Sequence, residues 1–223
     1  MKVVVIGALG KVARVLVPLL ADDDSEPTEV VGIVRKPEQL DRVGDLGAEP
    51  VLLDVEHAST GVIAGALDGA DAVVWSAGAG GGSPARTYAV DRDAAIRSMD
   101  AATQAGVRRY VMVSWIGSTP DHGVPQDSSF FPYADAKLAA DDHLRASLLD
   151  WTILGPGTLT DDPPTGRIAV VPEGAAPPRD GGARVSRSDV AQVVAATLRE
   201  PATVGRFIRF VTGDTPIADA LRG

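Results

Sequence analysis

Apolar residues along the chain fall alternately into short β-branched runs and longer Ala- and Leu-rich stretches with helical spacing. This alternation is typical of a parallel sheet whose strands are joined by crossover helices. The short runs predict strands at Lys2–Ile6, Glu29–Val34, Glu49–Leu53, Ala72–Trp75, Arg109–Val113, Trp151–Leu154 and Phe207–Val211. The longer stretches predict helices at Gly10–Ala21, Pro37–Leu46, Thr60–Leu67, Thr87–Gln104, Tyr133–Ser147 and Ser188–Leu198.

The stretch from Gly155 to Gly182 departs from this rhythm. It is rich in Pro and Gly and carries only a short apolar run at Ile168–Val171. A long segment with little regular structure is usually a functional loop. We therefore expect one α/β domain over residues 1–223, with a doubly wound, mostly parallel sheet flanked by helices. A small, loop-rich C-terminal lobe is expected at about residues 155–185.

The turn after the first predicted strand carries Gly7 and Gly10 and leads into a helix. Glycines there let the backbone turn tightly and let a pyrophosphate approach the helix N-terminus, where free N–H groups favour negative charge. Ala13 takes the third position of the motif, which serves strand–helix packing and tolerates Ala. The loop predicts a dinucleotide site, and the alternative is a Gly-rich turn in another α/β fold.

The end of the second predicted strand indicates which dinucleotide is bound. NAD sites usually place an acid there, whereas Arg suits the 2′-phosphate of NADP. This chain has Arg35-Lys36 and no acid, so we expect NADP(H), with NAD(H) less favoured. The alternative is a basic pair that is merely exposed to water. Asp54, after the third strand, is placed to meet the adenine edge, and Ser76-Ala77-Gly78 would let backbone pass close to the cofactor.

Candidate chemistry lies in Tyr133 and Lys137, four residues apart and so on one helix face. A Lys cation beside a phenol lowers the phenol pKa from about 10, and the pair could pass a proton to a carbonyl oxygen. Ser114 follows the fifth strand at its carboxyl end, where ligands of open α/β sheets bind. We expect its hydroxyl to donate to a substrate oxygen.

Composition excludes several classes of partner. The net charge is −9 and no basic run exceeds two residues, so a nucleic-acid partner is not expected. There is no Cys and there are three His, so no metal site is expected. No stretch approaches the ~20 apolar residues of a membrane span, which favours a cytoplasmic protein without a membrane partner. The acidic clusters are expected on solvated faces or in loops: Asp22-Asp23-Asp24, Asp141-Asp142 and Asp161-Asp162.

Several motifs occur together along essentially the whole chain: GALGKVA, IVRKPEQ, LLDVE, VVWSAGAG, YVMVSWIG, YADAK, DWTILGPGTLTDDP, VSRSDVAQVV and GDTPIADAL. With them the chain resembles the short-chain dehydrogenase/reductase superfamily, specifically its atypical NAD(P)-binding, epimerase-like members. The resemblance implies a Rossmann sheet, a 2′-phosphate near Arg35 and a nicotinamide ribose on Lys137. It also implies cofactor contacts along the glycine loop (Gly7, Leu9, Gly10, Lys11, Val12), at adenine (Asp54, Val55), along the ribose (Ala77 to Gly80, including Gly78) and beside the nicotinamide (Pro156 to Leu159).

The chain departs from the family pattern at three positions. Catalytic relatives carry an Asn on the fourth helix that holds a proton-relay water, and the matching residue here is Asp91. Asp91 joins Ser114, Tyr133 and Lys137 in the expected catalytic set. Gly155 stands where an Arg is usual, and Trp115 replaces a small residue. Trp115 either walls the substrate site or packs under the loop.

These observations favour an NADP(H)-dependent oxidoreductase acting on a small carbonyl, alcohol or quinone-like substrate. The alternatives are a non-catalytic NADP(H)-binding redox sensor or regulatory protein, a flavin or tetrapyrrole reductase, and a sugar-nucleotide epimerase. The expected partner is a small-molecule substrate, and the chain is a monomer or a homodimer. The stretches that would select the substrate are Ser118–Phe131 and Gly155–Gly182.

Overall fold

The structure is a computed structural model that describes residues 1–23, 27–81, 83–172, 174–176 and 183–223. The first part of the chain alternates strand and helix: β1 (Lys2–Ile6), α1 (Ala13–Ala21), β2 (Glu29–Val34), a 3₁₀ turn (Pro37–Gln39), α2 (Leu40–Gly44), β3 (Glu49–Leu52), α3 (Thr60–Ala66) and β4 (Ala72–Trp75). The next part consists of α4 (Pro84–Thr87), a π-helical segment (Tyr88–Ala94), α5 (Ala95–Gln104), β5 (Arg109–Val113), α6 (Phe131–Ala146) and β6 (Asp150–Pro156).

The C-terminal part adds short strands and two helices. They are β7 (Thr158–Thr160), β8 (Arg167–Val171), β9 (Arg184–Ser186), α7 (Arg187–Arg199), a 3₁₀ turn (Pro201–Thr203), β10 (Arg206–Thr212), β11 (Thr215–Pro216) and α8 (Ile217–Arg222). Two of these short strands, β7 and β9, pair in parallel in a small separate sheet. Part of the stretch that was expected to be a loop, residues 173 and 177–182, lies outside the described residues.

The central sheet has nine strands among the described residues, in the order β11-β8-β10-β6-β5-β4-β1-β2-β3. The strands from β3 to β10 pair in parallel, and only β8 and β11 join antiparallel. The predicted doubly wound, mostly parallel sheet is therefore confirmed. The strand order reverses beside β1, because β2 and β4 leave it on opposite sides, and ligands bind at such a switch point.

Helices cover both faces of the sheet. One apolar cluster joins α1 and α7 to the sheet, with Ala13, Leu16, Val190 and Val194 fully buried. A second cluster joins α3, α5 and α6 to the opposite face. Because both faces are covered, β1 is apolar along most of its length rather than alternating. Ala13 packs where the motif needs a small side chain, as expected.

The predicted elements are all present, with ends that differ by a few residues. The first helix begins at Ala13 instead of Gly10, since residues 7–12 form the turn that precedes it. The predicted helix Thr87–Gln104 is part of a longer helical run from Pro84 to Gln104, interrupted by the π-helical segment. Within the described ranges, no helix is both long and apolar enough to span a lipid bilayer.

Candidate active site

Two clefts open at the carboxyl ends of the parallel strands. The first, called here the β3-side cleft, has a volume of about 400 Å³ and lies between the ends of β1, β2 and β3. The second, the α6-side cleft, has a volume of about 560 Å³ and lies between the glycine turn and α6. Both are lined by the same central residues, so they form one continuous groove over the turn: Gly10, Ser76, Ala77, Gly78, Ala79 and Gly80.

The glycine turn is shaped by close backbone packing. Gly7 has a φ of +85°, and a Cβ there would lie 2.7 Å from the Cα of Ala77, so the position requires glycine. The N–H groups of Gly7 and Ala8 both donate to the carbonyl of Ile33, which pins the turn to β2.

The backbone N–H groups of Leu9, Lys11 and Val12 find no acceptor within the part of the chain that the structure describes. They lie at the N-terminal end of α1, where N–H groups and the helix dipole attract anions. This cradle fits a pyrophosphate group. Leu9 lines the β3-side cleft, while Lys11 and Val12 line the α6-side cleft.

The β3-side cleft carries exposed charges. Arg35 lines it at the end of β2, and Asp54 and Val55 line it after β3. Sequence reasoning missed two further residues here. Glu56 and Arg86 form an ion pair with 3.4 Å between Oε2 and Nε, and Arg86 also donates to the carbonyl of Ala79 at 2.5 Å. No motif joins these two residues, which lie thirty positions apart and meet only in the fold.

One group in the β3-side cleft has metal-ligand chemistry. Ligand atoms of Asp54, Glu56 and His57 lie within 4.8 Å of one another. However, the Asp54 carboxylate already pairs with Nδ1 of His57 at 3.1 Å and accepts from the Glu56 N–H. The three residues therefore lie together because hydrogen bonds to the Asp54 carboxylate hold one turn of the chain.

The α6-side cleft contains the expected catalytic residues. Ser114, Tyr133, Lys137 and Asp91 all line it. Lys137 is 1% exposed, and its Nζ donates to the carbonyl of Val113 at 3.0 Å. The fold therefore holds the Lys137 ammonium beside the end of β5.

The Tyr133 phenol has a raised pKa. Burial is the main cause, since it disfavours the charged phenolate, and the charges of Asp91 and Asp141 raise the pKa further. The expectation that Lys137 lowers this pKa is therefore wrong. Lys137 is not among the groups that act on this pKa, and its ammonium donates to the Val113 carbonyl instead.

Asp91 lies on the π-helical segment and is 2% exposed. Its Oδ2 accepts a hydrogen bond from the Ala79 N–H at 2.9 Å, which ties the segment to the wall shared by the two clefts. Burial raises the Asp91 pKa, and the charge of Lys137 opposes this rise. Single π-helical turns within α-helices are frequent at functional sites.

Asp141 contradicts the expectation that it lies on a solvated face. It is completely buried, and its Oδ2 accepts hydrogen bonds from Ser114 Oγ and Ser118 Oγ, both at 2.5 Å. Among the described residues, its Oδ1 has no partner. The sequence did carry a signal for this: Asp141 follows Lys137 by four residues and so lies on the same helix face.

The remaining acidic residues of these clusters agree with expectation as far as they are described. Asp22, Asp142, Asp161 and Asp162 are exposed, while Asp24 lies outside the described residues. Asp23 is partly exposed and pairs with Arg199 at 2.9 Å.

The structure accounts for two departures from the family pattern, Trp115 in the loop after β5 and Gly155 on β6. A Cβ at Gly155 would lie 2.6 Å from the Phe207 ring, so that ring takes the space of the usual side chain. Trp115 packs over Gly117 and against the cluster of Ile116, and it meets Phe130 edge-on at 5.1 Å between ring centroids. These contacts favour packing under the loop.

The last expected contacts lie near α7. Leu159 lines the α6-side cleft. Pro156 is buried within β6, where its carbonyl accepts from the Ile116 N–H. Sequence reasoning missed Arg187, which lines the same cleft at the start of α7 and pairs with Asp161 at 2.7 Å.

Comparison with known proteins adds to this geometry. A family model described as NAD(P)H-binding matches residues 7–201. The chain is 39% identical to "Uncharacterized sugar epimerase YhfK" of Bacillus subtilis (strain 168), over 100% of this chain and 99% of that protein. It is similar to a solved structure from Bacillus halodurans named as an NAD-dependent epimerase/dehydratase, with 34% identity, a TM-score of 0.88 and coverage of 99% and 98%. A second structure, the oxidoreductase ylbE from Lactococcus lactis, has 29% identity, a TM-score of 0.84 and coverage of 99% and 95%.

Proposed function

The chain belongs to the NAD(P)H-binding family, and from this premise we propose that it is an NADP(H)-dependent oxidoreductase. Its substrate would be a small carbonyl, alcohol or quinone-like molecule. The observation that carries the proposal is the placement of Ser114, Tyr133 and Lys137 around a cleft continuous with the glycine turn. A nucleotide along that groove would bring its nicotinamide end to these residues.

The preference for NADP(H) rests on the β3-side cleft. Arg35 is exposed at the end of β2, where a 2′-phosphate would lie, and a guanidinium can bind a phosphate through two hydrogen bonds. Nζ of the neighbouring Lys36 lies 3.6 Å from Oε1 of Glu38, which partly neutralises its charge. Arg35 is therefore the stronger candidate for contact with the 2′-phosphate.

The bound nicotinamide would supply or accept the hydride. The residues of the chain then supply the proton and the setting for the reaction. Tyr133, whose pKa is raised, is a protonated phenol through the neutral range, and it would carry the proton that a carbonyl oxygen takes up during reduction. One hydride and one proton convert the carbonyl into an alcohol. Phe130 and Pro132 line the same cleft and would keep water from the reacting atoms.

A second candidate is a sugar epimerase, supported by the name of the Bacillus subtilis relative. An epimerase also binds the dinucleotide, but it returns the hydride to its substrate. It therefore consumes no net cofactor. This difference separates the two candidates in a single assay.

The experiment begins with titration of NADPH, NADP, NADH and NAD by fluorescence and calorimetry. We expect NADPH to bind most tightly. The protein with NADPH is then assayed against carbonyls and quinones, and with NAD(P) against alcohols and nucleotide sugars. Net oxidation of NADPH supports the oxidoreductase, and interconversion of sugars without net change in the cofactor supports the epimerase. Tight binding with turnover of neither kind would overturn both and favour a redox sensor.

A further inference from the structure

We propose that Asp141 is a positioning residue that fixes the direction of the Ser114 hydroxyl, so that Ser114 accepts a hydrogen bond in the α6-side cleft from a hydroxyl-bearing substrate. The inference rests on the proposed function, because it concerns the same cleft. It reverses the expected role of Ser114, which was that of a donor to a substrate oxygen. It also favours ligands that present an alcohol O–H at this point, as the substrate of oxidation or the product of reduction.

The first step of the argument is the geometry around Asp141. Ser114 Oγ and Ser118 Oγ both lie 2.5 Å from the same carboxylate oxygen, Oδ2. Each hydroxyl has one proton, and a carboxylate oxygen has lone pairs for two donors. When both serines donate to Oδ2, neither has a proton left for another partner. Ser114 lines the cleft, so the part of its hydroxyl that faces a ligand is a lone pair.

The second step is burial. Asp141 is completely buried, and Ser114 and Ser118 are 5% and 0% exposed. Hydrogen bonds to a charged group are short and strong in such a buried setting. A substrate would therefore have to meet the Ser114 hydroxyl in the direction that Asp141 imposes.

The third step is the charge around the carboxylate. Burial raises the pKa of the Asp141 carboxyl group, while the positive charges of Lys137 and Arg145, both on α6, and the two serine hydroxyls act in the opposite direction. The negative charge of Asp141 also disfavours ionisation of the phenols of Tyr110 on β5 and Tyr133 on α6. The charges of Lys137 and Arg145 therefore oppose the effect of burial, and the two serine hydrogen bonds leave Oδ2 as their acceptor.

The consequence for the substrate follows from hydrogen-bond complementarity. An alcohol can donate its O–H to Ser114 and accept from the Tyr133 phenol at the same time. A carbonyl oxygen can accept from Tyr133, but it would face a lone pair at Ser114. One neutral hydrogen bond contributes about 0.5–1.5 kcal/mol, so we expect an alcohol to bind about 2- to 13-fold more tightly than the matching ketone.

The test measures binding instead of turnover, so that its result does not depend on the proposed reaction. The probes are 1-phenylethanol and acetophenone, titrated by ligand-observed NMR into cofactor-free protein, in which no hydride transfer can occur. The wild type should prefer the alcohol. In Asp141→Asn the amide N–H₂ can donate to Ser114, which frees the serine proton for the ligand, and the preference should reverse towards the ketone. In Ser114→Ala the preference should disappear.

The matched control is Asp142→Asn, which removes one negative charge from the next position of the same helix, where the side chain is 56% exposed. It should keep the wild-type preference. Ser118→Ala should also keep it, since the Ser114–Asp141 hydrogen bond remains. Thermal unfolding and NADPH titration show whether each variant is folded. An unchanged ratio of alcohol to ketone affinity in a folded Asp141→Asn variant would overturn the proposal.

A second measurement uses only the wild-type protein and no substrate probe, so it remains decisive if Asp141→Asn does not fold or neither probe binds. The ¹³C chemical shift of the Asp141 carboxyl group at pH 7 reports its protonation. The proposal requires the carboxylate. A protonated carboxyl group would overturn it, because that group could donate to Ser114. Loss of turnover in the earlier assays would instead count against the proposed function alone.

Discussion

The two clefts lie at one edge of one sheet and share a wall, yet several charged side chains that line them differ in burial. In the β3-side cleft the Asp54 side chain is 41% exposed, Arg86 is 30% exposed, and Arg35 is exposed. In the α6-side cleft, Asp91 and Lys137 are almost completely buried. Exposed charges bind ions weakly, because water and salt screen them. Buried charges act strongly on each other and on a reacting group, so they suit chemistry.

The difference has a structural cause. The charged side chains of the β3-side cleft lie after the ends of β2 and β3 and on α4, where they reach solvent. In the α6-side cleft, Asp91 and Lys137 lie on the π-helical segment and on α6, which pack against each other. This comparison supports the proposal that the β3-side half of the groove selects the cofactor and the α6-side half carries the chemistry.

The largest expected effect tests the catalytic half. Tyr133→Phe removes the phenol proton and leaves the ring, so turnover of a substrate from the panel should fall by about 10²- to 10⁴-fold. The affinity for NADPH should stay within about twofold, because the variant leaves the β3-side cleft intact. Steady-state kinetics and cofactor titration measure the two effects. Tyr88→Phe, on the nearby π-helical segment, is the control and should keep turnover. Wild-type turnover in Tyr133→Phe would refute the assignment of the proton donor.

A smaller effect tests the binding half. Arg35→Ala removes the guanidinium proposed for the 2′-phosphate, and hydrogen bonds to charged groups contribute about 1.5–3 kcal/mol. The affinity for NADPH should therefore fall by about 10- to 100-fold, while the affinity for NADH, which lacks that phosphate, should not change. Calorimetric titration of both cofactors measures this. Arg42→Ala, an exposed arginine on α2, is the control. An equal loss of affinity for NADPH and for NADH would show that Arg35 does not contact the 2′-phosphate.

The smallest expected effect is on the pH dependence of turnover, through the charge of Asp91 near Tyr133. The charge of Asp91 raises the Tyr133 pKa, so Asp91→Asn should lower it. Since reduction needs the protonated phenol, its rate falls as pH rises through this pKa, and the alkaline limb of the profile should move to lower pH. Ultraviolet titration of tyrosinate, with Tyr133→Phe to identify the signal, checks the shift without substrate. Asp93→Asn, a partly exposed neighbour paired with Arg92, should leave the limb in place.

Much of the fold could be predicted from local sequence pattern. The β-branched runs marked every parallel strand from β1 to β6, and the glycine spacing marked the turn at the switch point. Ala13 was correctly assigned to packing. The pattern did not predict the π-helical segment, because its residues also suit an α-helix and the extra turn depends on how Asp91 reaches Ala79. Nor did it predict the pairing of β7 with β9, which are three residues each and far apart in the chain.

The sequence by itself determined which residues lie on the same face of a helix or strand. The helical and strand periods fix this, whatever that face packs against. It placed Tyr133 and Lys137 together in this way, and the same spacing applied to Asp141. The tertiary structure alone decided what each face meets. Asp142 points to solvent, whereas Asp141 is packed against Ser114 and Ser118, so one carboxylate is solvated and its neighbour is not. Burial can shift the pKa of a given type of side chain by several units, and burial is a property of the assembled fold.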